Sequence, residues 1–381
     1  MPKIKCAIFI SDVGFGHMVR QRQIILELIK QFKNISITVF HSQNLKVLKK
    51  SFGNKIKYVK NFNNIFLYKK NYKNTLGELD IQKTKYEMSK WEQRSNFFLK
   101  KNSKKLSQFD FFISDLVPEI SNYAYKLGKP CFSVCHYTWD WFFKKLFKKN
   151  HRFITILKKF TNLSSKFYFP PFTYSLIKKS SNKVLNVNLI ANKIIKRKKL
   201  KKNSILLMNN GTEVLSSKIE NIIPEIIKLK EYKFFLSTTI LKKKLLDQVK
   251  KSKNVYLINN ELKHTYNFIS KVDFVIARGG FNTISECIIS NTPCLLAGEK
   301  NNPEIDENIK VVKNHHLFET IKDKDWHPKN FNNRIQKYIN SKKIILNKDI
   351  NNNKFKNNGA KAIVKDIKKV LMNNEYNEYN K

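Results

Sequence analysis

Acidic side chains are scarce in this 381-residue chain: 29 Asp and Glu stand against 74 Lys and Arg, a formal net charge of +45 at neutral pH. An imbalance of that size ordinarily points to nucleic acid, an anionic membrane or acidic ligands. Here the lysines run through loops and helix faces alike, and no nucleic-acid-binding motif accompanies them. The charge therefore reads as a drift of the whole composition, and a nucleic-acid partner is not expected. Arginine is also rare, occurring only at positions 20, 22, 94, 152, 197, 278 and 334. Where the planar guanidinium fork persists against such a bias, its geometry is a candidate requirement. Cys6, Cys131, Cys135, Cys287 and Cys294 form no CxxC pair and no set spaced with histidine for a metal. They read as buried thiols of a reducing compartment. No stretch reaches the roughly 18 apolar residues of a membrane span, and the apolar run of MPKIKCAIFIS is too short for a signal peptide. A cytoplasmic location is expected.

Short β-branched and aromatic runs alternate with helical patterns: CAIFIS at 6–11, SITVF at 36–40, DFFIS at 110–114 and PCFSV at 130–134. Between the first two, Met18, Ile25, Ile29 and Phe32 share one face at the helical period. The pattern restarts with SILLM at 204–208, KFFLS at 233–237, NVYLI at 254–258, DFVIA at 273–277 and PCLLA at 293–297. Such alternation predicts an α/β protein of two Rossmann-like halves, each on a parallel sheet. The expected division is a first domain over 1–190 and a second over 200–372, joined through the charge run at 189–203, with a disordered tail at 373–381.

Three strand-to-helix turns carry the candidate chemistry. The first, GFGH, sets Gly14 and Gly16 before His17, where backbone N–H groups approach a ligand closely and the helix start favours an anion. Val19 stands where a dinucleotide fingerprint requires its third glycine, and no GxxxxGK[ST] occurs, which excludes the NAD-binding and P-loop readings. The second turn, Arg278-Gly279-Gly280, opens a helix near Asn282 and Thr283 and repeats the device. One turn inside that helix, Glu286 suits the paired hydroxyls of a ribose; its bland alternative is a glutamate complementing the helix dipole. The third turn, Asn209 to Thr212, adds Gly211 and Thr212. Together the three predict a diphosphate held in a cleft between the domains. A further run, DWFFKKLFKKNHRFITILKKF from Asp140 onward, sets apolar residues on one side of a helix and lysines beside them. It suits either an interfacial helix over 140–172 on anionic lipid or the wet face of a soluble fold.

The motifs GxGHxxR at 14–20 and RGGxxTxxE at 278–286 resemble those of GT-B glycosyltransferases, and the second half is similar to the N-acetylglucosaminyltransferases that form lipid II. The segment SDLVPEISNYAYKLGKPCFSVCHYTWDW at 114–141 resembles the glycosyltransferase-like domain fused to L-arabinokinases. The resemblance implies two Rossmann-like domains facing each other across a cleft, with an acceptor bound by the first and a nucleotide sugar, UDP-linked, by the second. It places Gly280 and Thr283 at the diphosphate, Glu286 at the ribose, the backbone of the segment Leu257, Ile258 and Asn259 beside the nucleobase, and Arg278 as a buttress of the loop that contains Gly279. Glu304 and Asn308, in EKNNPEIDENI, stand where the family grips the donor sugar, although the paired glutamines of the lipid II enzymes are missing. A carbohydrate or lipid-linked acceptor, an inverting reaction and no metal or cofactor are the corresponding expectations.

Such an enzyme needs a base for the acceptor hydroxyl. His17, with an ordinary pKa of about 6.5, suits that role at neutral pH. Asp115 or Glu119 is placed to orient it, and Asp140 is a second candidate base. A nucleotide-sugar hydrolase or epimerase with the same cleft is the alternative reading, and His17 as a plain helix cap is the structural one. The DKD at 323–325 falls in a polar loop after the last recognised strand and reads as solvated, not as a metal motif.

Overall fold

The computed structural model describes residues 3–13, 16–42, 45–59, 65–70, 78–192, 203–208, 213–237, 243–258, 268–346 and 355–372. Two compact units result. One comprises Met1–Tyr68, Asp80–Ile190 and Lys356–Lys381; the other comprises Lys69–Leu79 and Ala191–Phe355.

The first unit is built on a seven-stranded parallel sheet in the order β3-β2-β1-β4-β5-β6-β7. Its strands are β1 Ile4–Ile10, β2 Ile35–Phe40, β3 Lys57–Val59, β4 Phe111–Asp115, β5 Cys131–Val134, β6 Lys166–Phe169 and β7 Val184–Asn186. Residues 6–10 and 111–115 are buried without alternation, as expected for parallel strands covered on both faces. The helix Gly16–Gln31 buries Met18, Val19, Ile24, Ile25 and Leu28. The first turns of that helix also bury His17, Arg20 and Gln21.

The second unit has six parallel strands in the order β10-β9-β8-β11-β12-β13, with β8 Ser204–Met208, β9 Lys233–Ser237, β10 Val255–Ile258, β11 Phe274–Arg278, β12 Cys294–Ala297 and β13 Phe318–Ile321. In both sheets the strand order reverses beside the first strand, the switch point at which open α/β sheets bind ligands beyond their carboxyl ends. In the first unit that point lies between β1 and β4, and in the second between β8 and β11.

The helix Gly359–Met372 belongs to the first unit, whereas the sequence pattern assigned 200–372 to the second. Asp366 accepts from Lys166 Nζ at 3.0 Å and from the Tyr168 hydroxyl at 2.9 Å, and Lys368 Nζ reaches the Gln31 carbonyl at 3.4 Å. At its start Gly359 is obligatory, because a Cβ there would stand 2.2 Å from the Asn188 carbonyl oxygen. The segment 140–172 forms two helices, Trp139–Phe147 and Arg152–Asn162, and then β6. Their Phe142, Phe143, Phe153, Ile154, Leu157 and Phe160 pack into one internal aromatic cluster. The apolar side is thus internal, and Lys144, Lys145, Lys148, Lys149, Lys158 and Lys159 are left exposed. Among the described residues no helix is long and apolar enough to cross a membrane.

Candidate functional site

In the first unit, the residues at the switch point converge on one carboxylate. Asp115 ends β4 fully buried, and its two oxygens receive four contacts. His17 Nδ1 lies 2.8 Å from Oδ1, Arg20 Nη2 donates to Oδ1 at 2.5 Å, Arg20 Nε to Oδ2 at 3.1 Å, and Gln21 Nε2 to Oδ2 at 2.9 Å. Burial alone would raise the Asp115 pKa; the Arg20 charge and then His17, with hydrogen bonds from both, outweigh it and hold the carboxyl well below its usual range. Arg20 Nη2 also lies 3.1 Å from His17 Nδ1, but the shorter contact, to a carboxylate that stays ionised, places the proton of His17 on Nδ1. In the neutral ring Nε2 therefore keeps its lone pair. Arg20 also donates through Nη1 to His136 Nδ1 at 2.7 Å, and the His17 and His136 rings stand 5.8 Å apart.

Asp115, not Glu119, is thus the partner of His17. Glu119 lies in the first turn of the helix Pro118–Lys126, buried, and among the described residues neither of its carboxyl oxygens has a hydrogen-bond partner. Burial pushes its pKa up to about 8. Asp140 sits in the first turn of Trp139–Phe147, buried, with its pKa raised by desolvation; no hydrogen bond joins it to His17. Gly16 opens the helix that carries His17, while Gly14 lies outside the described residues.

In the second unit, β11 ends at Arg278, and Gly280 caps the helix Phe281–Ser290, which carries Asn282, Thr283 and Glu286. A Cβ on Gly279 would meet Ile309 Cγ1 at 2.6 Å, so the turn packs against the helix Pro303–Val312 only with glycine there. The nearest atom to a Cβ on Gly280 is Arg278 Nη2 at 3.9 Å, which leaves that side of the turn open. Arg278 Nη1 donates to Glu299 Oε2 at 2.5 Å, and Lys69 pairs with the other oxygen of Glu299. Burial would raise Glu299; the two cations, Arg278 first, override it and lower its pKa. Asn308 donates to the Gly279 carbonyl at 3.1 Å, and its own carbonyl oxygen has no partner among the described residues. Glu304 is half-buried in the first turn of its helix.

Glu286 is 1% exposed, accepts from Asn192 Nδ2 at 3.1 Å on Oε1, and among the described residues has no hydrogen-bond partner on Oε2. Burial pushes its pKa well up, against the lowering effect of the Asn192 amide. Leu257, half-buried, and Ile258, buried, end β10; Gly211 and Thr212 lie outside the described residues. Asp323 and Asp325 shape a turn: Asp323 pairs with Lys218 at 2.6 Å, and Asp325 accepts from the Lys322 backbone at 2.8 Å.

Sequence reasoning did not pick out Gln21, His136, Asn192 or Glu299. Arg20 had a signal, since it is a rare arginine three residues beyond His17, and i, i+3 positions share a helix face. Asn192 had none, because it stands in a stretch that reads as a linker.

Residues 210–369 match the C-terminal domain model of glycosyltransferase family 28. No curated protein matches the sequence. Solved structures do match. They include CalG4, the calicheamicin glycosyltransferase, with a TM-score of 0.65 at 11% identity, covering 97% of this chain and 99% of the other. MurG of Acinetobacter baumannii gives 0.54 at 10%, covering 97% and 100%. A UDP-glucosyltransferase of Polygonum tinctorium that glucosylates indoxyl gives 0.60 at 10%, covering 97% and 99%.

Proposed function

For a chain built on the two-Rossmann-domain GT-B glycosyltransferase fold, with a family 28 C-terminal domain matched over residues 210–369, we propose transfer of a sugar from a UDP-linked donor to a hydroxyl of a carbohydrate or lipid-linked acceptor. The reaction inverts the anomeric carbon and requires no metal or cofactor. The observation that carries this reading is the His17–Asp115 pair at 2.8 Å, at the switch point of the first sheet. An imidazole locked by an ionised carboxylate is equipped to take a proton and to have the resulting charge stabilised.

The first unit binds the acceptor. His17 Nε2 accepts the hydroxyl proton as the acceptor oxygen attacks the anomeric carbon, and the bond from that carbon to the diphosphate oxygen breaks. The second unit holds the donor. The turn at Gly279 and Gly280 and the helix start at Asn282 and Thr283 bind the departing diphosphate, with Gly211 and Thr212 of the same unit as further backbone donors. Glu286, through Oε2, takes the ribose hydroxyls, the backbone at Leu257 and Ile258 passes beside the base, and Glu304 and Asn308 meet the transferred sugar. Arg278 holds its turn through Glu299. Structures of the same fold carry UDP-glucose, UDP-2-fluoro-glucose or dTDP, which supports a nucleotide donor. The exposed lysines of 140–172 add a peripheral, salt-sensitive contact with anionic lipid.

The test is incubation of the protein with radiolabelled UDP-glucose and UDP-N-acetylglucosamine, without acceptor and then with a cell extract. Transfer into a product only when extract is present, lost in His17→Gln and needing more donor in Glu286→Gln, is the expected result. Rapid stoichiometric release of free sugar without acceptor identifies a hydrolase instead.

A further inference from the structure

A second imidazole–carboxylate pair stands in the first unit, outside the network of Asp115. His41 directly follows β2, and Asp12 follows β1 by two residues. His41 Nδ1 lies 2.7 Å from Asp12 Oδ1 and 3.3 Å from the Ile10 carbonyl oxygen. Both neighbours are acceptors, so Nδ1 carries the hydrogen, and in the neutral ring Nε2 keeps its lone pair. Every polar contact of this ring among the described residues falls on Nδ1. Asp12 Oδ1 also accepts from the Ser42 backbone at 3.0 Å, which fixes the carboxylate in turn.

The strand register sets this pair against the first. Phe9 pairs with Phe40, so the next residue, Ile10, stands level with His41; on its other side Ile10 pairs with Asp115. His41 and Asp115 therefore flank the end of β1 at the same level, two strand spacings or about 10 Å apart. Both pairs occupy the carboxyl edge of the sheet, one on each side of the strand that leads into the helix of His17. Side-chain exposure is 1% for His41 and 0% for Asp12. As a staple between β1 and β2 this would be a poor choice, since desolvating a carboxylate and an imidazole costs more than an aliphatic pair of the same volume. The carboxyl edge is where open α/β sheets bind their ligands, so the pair stands where a ligand's polar groups arrive.

We propose that His41, oriented by Asp12, is a second hydroxyl-binding point, and that the acceptor is a polyol, a carbohydrate whose hydroxyls reach both imidazoles, as opposed to an aromatic compound with one hydroxyl. This rests on the reading of the first unit as the acceptor-binding one. His17 takes the proton of the hydroxyl that reacts; His41 accepts a hydrogen bond from one that does not. Sites built to bond a hydroxyl reject analogues that lack it, because their buried polar groups are then left unpaired.

Two measurements on the full chain test this. In the first, initial rates are taken with the donor that gives turnover, methyl β-D-glucopyranoside and methyl N-acetyl-β-D-glucosaminide serving as polyol acceptors and 4-methylumbelliferone as the single-hydroxyl one. His41→Gln and Asp12→Asn are expected to raise KM for the sugars about ten-fold, with less effect on kcat, and to lower the ratio of sugar to phenol kcat/KM by a similar factor. His17→Gln, in contrast, lowers kcat. A ratio that stays constant in both variants overturns the proposal. The second measurement uses the ¹⁵N-histidine-labelled wild-type protein, so it depends neither on the folding of a variant nor on turnover. Titration with the methyl glycosides is expected to shift Nε2 of both His17 and His41, and titration with 4-methylumbelliferone that of His17 alone. A His41 resonance that ignores the glycosides overturns the proposal. A protein that transfers nothing while His41 still responds loses the transferase reading and keeps the binding point.

Discussion

Replacing Asp115 with Asn removes one charge and leaves the shape, so the consequences can be worked atom by atom. The native carboxylate takes four donors on two oxygens, from His17, from Arg20 twice and from Gln21. Asn supplies one acceptor oxygen and one NH2 group, and whichever way the amide turns, its NH2 faces two of those donors. Arg20, 1% exposed, then loses the carboxylate that faces it. Breaking a buried pair in this way costs about 3–5 kcal/mol. His17 has one means of relief, moving its proton from Nδ1 to Nε2 so that Nδ1 can accept. That tautomer has no lone pair on Nε2, and the transfer rate should fall by about 10²–10⁴. Urea denaturation with an unaltered m-value measures the first effect and initial rates of transfer measure the second. The pH dependence adds a sign. Because the folded Asp115 has its pKa depressed, its stabilisation is fully present above the unfolded value of about 3.9 and is lost as pH falls toward the folded value. The part of the gap that the Asp115 carboxylate supplies should therefore be fully present above about pH 5 and close only in strong acid. A variant within about 1 kcal/mol of wild type, with a rate within ten-fold, would refute the network as the holder of the base.

Glu119 predicts the opposite trend. Its folded pKa is raised to about 8 by burial, so its contribution is fully present below about 4.5 and is lost as pH rises. At about 1.4 kcal/mol per unit, wild type should lose up to about 5 kcal/mol relative to Glu119→Gln between those limits, read from urea midpoints in a pH series. The reverse trend, or none, would mean that the carboxyl is solvated. Gly359→Ala should cost about 1–3 kcal/mol, because the new methyl meets the Asn188 carbonyl and Ile190 Cγ1 at 2.2 and 2.8 Å. Gly280→Ala has room, so its melting temperature should stay near wild type while the thermal shift produced by UDP shrinks. A full UDP shift in Gly280→Ala would remove that turn from the donor site.

Much of the molecule was legible because its strands are short, apolar and locally specified. Every strand recognised in the sequence, from the run at 6–11 to that at 293–297, is a strand of one of the two sheets. Those it missed, β3, β6, β7 and β13, have three or four residues or carry polar positions such as Lys57 and Glu319. The turns around His17 and Arg278 were also readable, since a strand, one or two glycines and a helix start within a dozen residues announce themselves. The sequence determined by itself that His17 and Arg20 share a helix face, because three residues make nearly one turn.

It left open which carboxylate meets them. Asp115, Glu119 and Asp140 are equally plausible by distance along the chain, and only the pairing of β1 with β4 brings the first of them to His17 across 98 residues. The same holds for Gly359–Met372: an amphipathic face says that a helix must pack, but not against which sheet, and the choice falls to Asp366 meeting Lys166 and Tyr168. Periodicity and turn chemistry act over one or two turns of chain and can be read in order. Partner choice is made by packing and by buried charge seeking its complement, and those act across space, where chain order carries no record of who stands beside whom.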